Sequence, residues 1–418
     1  MRMQKKWIGS GCLLALALSA PGQPVIPGSA VLASVWQDPA VVAQEQQLNL
    51  SGQTNLQLPF VEQIGLRTET DRFELRREEY LSRVSVNGLR EIRAQRQLQD
   101  AGLELSRGKL RILRHKALLD RYQTLTTCRL LQRKLELQRQ LLLVYQDQAF
   151  VLSQLAAQQA DADLEAIIKV EYDRDDLALR VAASEGALRE LRAAIGQWVA
   201  VNSTDWQLDT TGFIPASRIL EITAAMPQSG WQNPELALGQ AKMEQIDAAY
   251  RLEKAKAGQV LDFFQLRYNN RPGEPLNRDL SVGIGLNIPY KGSARIKRNT
   301  LKIEQQEAGL EWRLDQDENT RSISSARRKL TALDQQYHLA QQLWQDSQAR
   351  FTLAQSALAE ASGPLPVLKA RELQLKRQFT LLDLESEMFG QYLNLLDWTG
   401  ALSAEPAINY LSASLGGY

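Results

Sequence analysis

The sequence predicts a mostly α-helical chain with a small membrane β part, built from a duplicated unit of one β-hairpin followed by one long α-helical hairpin. Three observations predict it. Short matching segments recur in the same order about two hundred residues apart, residues 280–288 alternate apolar and polar, and two stretches of about seventy residues carry no proline.

The matches set the frame. Trp36-Gln37-Asp38-Pro39-Ala40-Val41 is echoed by Trp231-Gln232-Asn233-Pro234-Glu235-Leu236, Ile64-Gly65-Leu66-Arg67 by Phe264-Gln265-Leu266-Arg267, and Ala101-Gly102-Leu103-Glu104 by Ala308-Gly309-Leu310-Glu311. Ile195-Gly196 is paired with Thr399-Gly400. Each match is weak alone; their common order delimits copies at 31–200 and 231–402, a Thr/Ser/Pro-rich linker at 201–230 and a C-terminal tail at 403–418.

Residues 1–30 read as a signal peptide. Arg2, Lys5 and Lys6 precede a short apolar run from Trp7 to Ala20, with small-residue cleavage candidates at Ala20 and at Ala30. Cys12 follows Gly9-Ser10-Gly11 early in that run, without the leucine a lipidation signal favours. No other segment is apolar enough for a membrane helix, so membrane insertion requires strands.

Within the first copy, β-strands are expected at about 59–87, and a helical hairpin at about 88–198 that breaks at 159–163. In the second copy, Asn233 as N-cap and Pro234 at the first helical position start a helix to about Ala257. A β-hairpin at about 260–289 follows. Leu280, Val282, Ile284, Leu286 and Ile288 form one face, and Ser281, Gly283, Gly285 and Asn287 the other; Phe264, Leu266 and Tyr268 form the apolar face of its partner. A second helical hairpin at about 293–400 breaks at Ser362-Gly363-Pro364-Leu365-Pro366. A helix of about 65 residues spans on the order of 100 Å and must lie against others along its length, as in a coiled coil.

Composition excludes several classes. The 49 basic and 48 acidic residues nearly cancel, so no overall field favours nucleic acid. There is no phosphate-cradling glycine loop or nucleophile elbow. His115 and His338 are read as solvated or lumen-facing rather than metal ligands, and Cys128 as a packing residue rather than a nucleophile. No cofactor, metal or catalytic residue is expected, and the chain is read as no enzyme.

On Asn233-Pro234-Glu235-Leu236 before an alanine-rich helix, on Val282-Gly283-Ile284-Gly285-Leu286-Asn287-Ile288-Pro289-Tyr290 leading into a long helix, and on Pro366-Val367-Leu368-Lys369-Ala370 with Tyr392 and Gly400, the chain resembles the TolC family of outer-membrane efflux channels. The resemblance implies a trimeric β-barrel/α-barrel duct in the outer membrane with a periplasmic extension. It implies a homotrimer that meets a periplasmic adaptor and an inner-membrane pump, contacts outer-membrane lipid, and passively conducts substrate in tripartite efflux or type I secretion. Pro289 and Tyr290 would mark the strand-to-helix transition, since proline removes a ladder donor and bends the chain. The family often carries proline where this chain has Val86-Asn87 and Gly258-Gln259. Pro366 and Lys369 occupy the positions of an acidic constriction in some members, so that ring is not carried over.

Local charge offers two readings. Residues 72–140 hold 17 basic and 8 acidic side chains, and residues 141–221 hold 6 and 13. The two helices of the first hairpin complement each other, or a basic lumen favours anionic cargo. At the tips, Asp161, Asp163 and Glu165 face the second hairpin's Lys369 and Arg371 as candidate gate pairs at the periplasmic entrance, or are ordinary helix-end charges. A periplasmic adaptor or a coiled-coil scaffold of an export system is the alternative class. An adaptor should carry one helical hairpin in small β-domains, and a scaffold has no use for the alternating strand at 280–288.

Overall fold

The structure, a computed structural model, describes residues 24–54, 58–70, 78–158, 164–201, 206–226, 232–269, 280–286, 292–358, 364–404 and 407–412. In chain order these form β1 (Val25–Pro27), α1 (Gly28–Ala33), α2 (Pro39–Gln53), β2 (Val61–Thr70), β3 (Glu78–Val86), α3 (Leu89–Gln158), α4 (Leu164–Trp198), β4 (Gln207–Asp209), α5 (Ile219–Ala225), α6 (Pro234–Ala257), β5 (Leu261–Asn269), β6 (Leu280–Leu286), α7 (Gly292–Leu358) and α8 (Leu365–Thr399). The predicted class holds: two β-hairpins, each continuing into a long helical hairpin.

The copies start alike because the same capping chemistry is written twice. Asp38 accepts from the Ala40 amide at 3.0 Å, and Asn233 from the Glu235 amide at 2.8 Å, each followed by proline at the first helical position. α6 lies between α3 and α7, and glycines admit it where the contact is tight: a Cβ on Gly108 of α3 would stand 2.9 Å from Leu238 of α6, and one on Gly239 of α6 would stand 2.9 Å from Trp312 of α7.

The main core lies about halfway along α3, where Tyr122, Leu125 and Cys128 meet Ile195 of α4, Leu330 of α7 and Met388 and Tyr392 of α8, all nearly free of solvent contact. The segment between the copies does more than join them. Trp206, Leu208 on β4, Ile214 and Ile219 on α5 are buried in the same core. The tail closes it: Tyr122 and Tyr392 donate hydrogen bonds to the carbonyls of Ile408 and Tyr410, at 3.1 and 2.9 Å. Residues 25–30, read from sequence as the end of the signal peptide, belong to the core too. β1 pairs in parallel with β4, Ile26, Val31 and Leu32 are buried, and Gly28 leaves room for the Phe213 ring.

One buried charge fixes this N-terminal segment. Arg121 of α3, 2% exposed, donates to Ser34 Oγ at 2.9 Å, the Ala117 carbonyl at 2.9 Å and Asp38 Oδ2 at 3.2 Å, with its guanidinium 4.8 Å above the Trp198 ring. Breaking such a buried pair costs on the order of 3–5 kcal/mol, because the remaining charge is stranded.

The helix ends show where the copies differ. Gly400 caps α8 at φ 73°, and a side chain there would collide with the Gln232 backbone. Its counterpart is Ala200 at φ 54°, two residues past α4, and not Gly196, which lies inside α4 against the Val201 carbonyl. A left-handed alanine costs about 1–2 kcal/mol relative to glycine. Ala200→Gly is therefore expected to stabilise the fold by about 1 kcal/mol, and Gly400→Ala to destabilise it by about 2 kcal/mol or more, read from denaturant unfolding monitored by circular dichroism.

Candidate functional site

The two hairpins form one antiparallel sheet in the order β2-β3-β5-β6, joined through β3 and β5. Register sorts its residues by face. Ile64, Val84, Phe264 and Ile284 lie on one level, Leu66, Ser82, Leu266 and Val282 on the next, and Thr68, Tyr80, Tyr268 and Leu280 on the third. This whole face is apolar apart from Ser82 and Thr68, yet Leu66 is 81% and Val282 73% exposed. Tyr80 and Tyr268 stack 6.4 Å apart at the loop end, where amphipathic rings suit a membrane–water boundary. A ten-residue strand spans about 33 Å, or roughly 25 Å when tilted, the height of an outer-membrane apolar band.

The opposite face is polar. Arg83 bridges to Asp262 at 3.5 Å and lies 3.5 Å above the Phe263 ring centre, Arg267 pairs with Glu79, and Arg67 with Glu69. The Phe263 ring folds flat across Gly285, where any side chain would overlap it. Both hairpins carry a register irregularity at the same place, between Val61 and Gln63 and between Leu261 and Phe263. β2 and β6 each have one neighbour within the chain, so each leaves an edge open.

The strand-to-helix junctions explain the missing prolines. The Asn87 amide N–H donates to the Phe60 carbonyl at 2.9 Å, which proline could not do, and its side chain donates to the Pro59 carbonyl at 2.8 Å. Gln259 Nε2 donates to the carbonyls of Val86 and Leu261 at 2.6 and 3.1 Å. Side-chain amides tie both junctions, and no sequence signal marked them. Pro289 and Tyr290 lie outside the described residues.

Among the candidate gate residues, Glu165 and Lys369 are exposed at the starts of α4 and α8, while Asp161 and Asp163 lie outside the described residues. Within one protomer Arg371 does not reach α4. It donates to Gln374 at 2.6 Å and Gln140 at 3.3 Å and stands 5.4 Å over the Phe351 ring. The sequence missed the neighbouring cluster that joins the two helical hairpins: Glu372 accepts from Gln148 at 3.0 Å, Tyr145 at 3.3 Å and Lys376 at 2.6 Å. Burial raises the Glu372 carboxyl, but the hydrogen bonds and the Lys376 charge outweigh it and hold the pKa below the ordinary value.

The basic side chains of α3 are answered by several partners and not chiefly by α4. Arg139 pairs with Glu185 of α4 at 2.7 Å, but Arg114 pairs with Glu45 of α2 at 2.6 Å, Lys116 with Glu235 of α6 at 3.0 Å, and Arg133 and Lys134 with Glu385 and Asp383 of α8. His115 is not solvated: it is 3% exposed, with Nδ1 2.9 Å from Ser403 Oγ and Nε2 2.7 Å from Asp397 Oδ1. It links α3 to the end of α8, because the turn at Gly400 swings Ser403 back beside Asp397. His338 is exposed, beside Asp334. Cys128 is buried, and burial pushes its thiol up to about 11, despite Arg192, which suits packing and not nucleophilic chemistry. Among the described residues no group of His, Cys, Asp and Glu could hold a metal ion, and no helix is long and apolar enough to cross a membrane.

No protein-family model matches the chain, and neither does any curated protein. Solved structures do. The outer membrane protein VceC of Vibrio cholerae is similar at a TM-score of 0.63 and 12% identity, covering 89% of this chain and 96% of its own. CusC, described in connection with transmembrane channel formation, is similar at 0.64 and 12%, covering 92% and 95%. The MtrE outer membrane channel of Neisseria gonorrhoeae is similar at 0.62 and 12%, covering 89% and 88%. The fold is that of a TolC-like outer-membrane channel subunit.

The Glu372 cluster makes the joint between the two helical hairpins sensitive to acid. A carboxyl with a depressed folded-state pKa contributes stability that is present above its unfolded value, 4.5, and is lost as pH falls through the folded value. Thermal unfolding of the wild type and Glu372→Gln from about pH 6 to about pH 3 should therefore converge: the variant melts lower at pH 6, and the gap closes at the acid end.

Proposed function

We propose that the chain is the outer-membrane channel subunit of a tripartite efflux or type I secretion system, acting as a homotrimer with a periplasmic extension. The open-edged sheet, with its exposed apolar face, carries this proposal. In hydrocarbon every backbone polar group needs a partner, so an open sheet inserts only when copies close it into a barrel. Three copies supply twelve strands, an even number as such barrels require. The polar face then lines the lumen, and α3 and α7, 70 and 67 residues long, reach on the order of 100 Å into the periplasm toward an adaptor and an inner-membrane pump. The duct supplies a route and the pump supplies energy; the proposed role is transport and not catalysis.

We place the gate at the helical tips. Lys369, exposed and without an ion-pair partner among the described residues, is available to Asp161, Asp163 or Glu165 of an adjacent protomer. Arg371 is held inside its own protomer and contributes less. The strand-to-helix bend is assigned to Pro289 and Tyr290.

Two readouts test this. Outer-membrane fractions should yield a trimer band that collapses to monomer on heating, and the purified trimer should conduct in planar bilayers with a low resting conductance. Lys369→Ala should raise that conductance severalfold and Arg371→Ala much less. An unchanged Lys369→Ala channel removes the gate assignment; a monomeric, non-conducting protein removes the function.

A further inference from the structure

Where the long helices leave the sheet, a cleft of about 640 Å³ opens between the start of α3, the end of α6 and the start of α7. Six cations line it: Arg90, Arg93, Arg251, Lys254, Lys256 and Arg298. No carboxylate does. The groove adjoining it, farther from the sheet, is by contrast mixed, with Asp100, Glu104, Glu244 and Asp247 among its walls.

The helix dipole does not account for this charge. Lys254 and Lys256 occupy the last turn of α6, where cations are favoured. Arg90 and Arg93 instead occupy the first turns of α3, and Arg298 the second turn of α7, where the positive end of the dipole opposes them. Some of the charge is answered: Arg251 pairs with Asp247 at 2.6 Å, and Lys256 stands 3.9 Å from Glu253, which also attracts Lys297 at 3.7 Å. Arg90, Arg93 and Lys254 have no ion-pair partner among the described residues. Guanidinium groups and helix N-termini converging on one concavity favour an anion with several acceptor oxygens, as phosphate has.

Position narrows the source. Arg90 and Arg93 lie within about 6 Å of the start of α3, comparable with the headgroup layer of roughly 5–8 Å on each side of an apolar core. Beside the cleft, Leu89 and Val260 are 66% and 55% exposed, offering apolar surface that a free anion would not use. We propose that this cleft binds a phosphate group, supplied by the headgroup of an anionic phospholipid at the periplasmic edge of the membrane; the lipid source rests on the sheet being membrane-embedded, whereas phosphate recognition does not.

The test uses the purified full-length protein in uncharged detergent. Native mass spectrometry with added phosphatidylglycerol reads lipid binding, and calorimetry with glycerol phosphate reads the free anion. Expected is one phosphatidylglycerol per protomer, weakened about tenfold or more in Arg93→Gln/Lys254→Gln, weakened by salt, and unchanged in Arg107→Gln of the neighbouring groove. Glycerol phosphate binding with no lipid retained keeps the phosphate site and overturns its lipid source. If neither probe binds, or Arg93→Gln/Lys254→Gln binds as well as the wild type, the proposal is overturned. Conductance recorded on the same preparations shows whether the channel itself has failed.

Discussion

A β-sheet with two open edges and a bare apolar face has nowhere stable to go in water. Leu66 on one edge strand and Val282 and Ile284 on the other are exposed on one face, and among the described residues the outer edges of β2 and β6 have no strand partner. Hydrocarbon removes the cost of the face and raises the cost of the edges, since no water remains to satisfy them. Both demands are met together only by closing the sheet with further copies of itself. The long helices follow from that, because each strand pair must continue into elements that also pack side by side.

The duplication makes this continuity possible. α2 and α6 start with the same cap and proline, and the glycines at 108 and 239 admit α6 against the two long helices. The copies diverge where they meet the equatorial core. There the segment at 206–226 and the tail at 407–412 fill space around α3 and α8, and Arg121 ties the N-terminal segment to the same helix. Packing of this kind adds to the α3–α8 ion pairs and the β3–β5 pairing in fixing the two hairpins against each other.

How much was legible in sequence follows from which interactions are local. The alternation at 280–286, the Asn233 cap and the long proline-free stretches depend on neighbours in the chain, and they gave the strand, the helix start at Pro234 and the helix lengths closely. The burial of His115 was not legible, because its partners are 282 and 288 residues away. Nor were the junction ties of Asn87 and Gln259: the absence of proline was visible, but the carbonyls that their amides reach were set by strand register. Arg371 is a further case of partners that are not neighbours in the chain: a glutamine on α3 and the Phe351 ring engage it. Repeat matching also failed at one point, where Gly196 was paired with Gly400 although Ala200 holds the equivalent left-handed turn.

Closure of the sheet between protomers is the claim on which the rest stands, and edge-to-edge cross-linking reads it directly. Gly65 on β2 and Gly283 on β6 lie on one level of the polar face, and both have room for a side chain. With Cys128→Ala removing the buried thiol, each polar-face position of β2 (63, 65, 67 and 69) is combined in turn with each of β6 (281, 283 and 285), because strands staggered around a closed barrel bring residues of different level together, and the pair that meets across protomers in membrane-embedded protein would be joined by a short bis-maleimide. The predicted result is a covalent ladder ending at three protomers, with either single cysteine giving at most a minor product. A protein that stays monomeric, or a ladder running past three without an end, would contradict closure into a trimeric barrel.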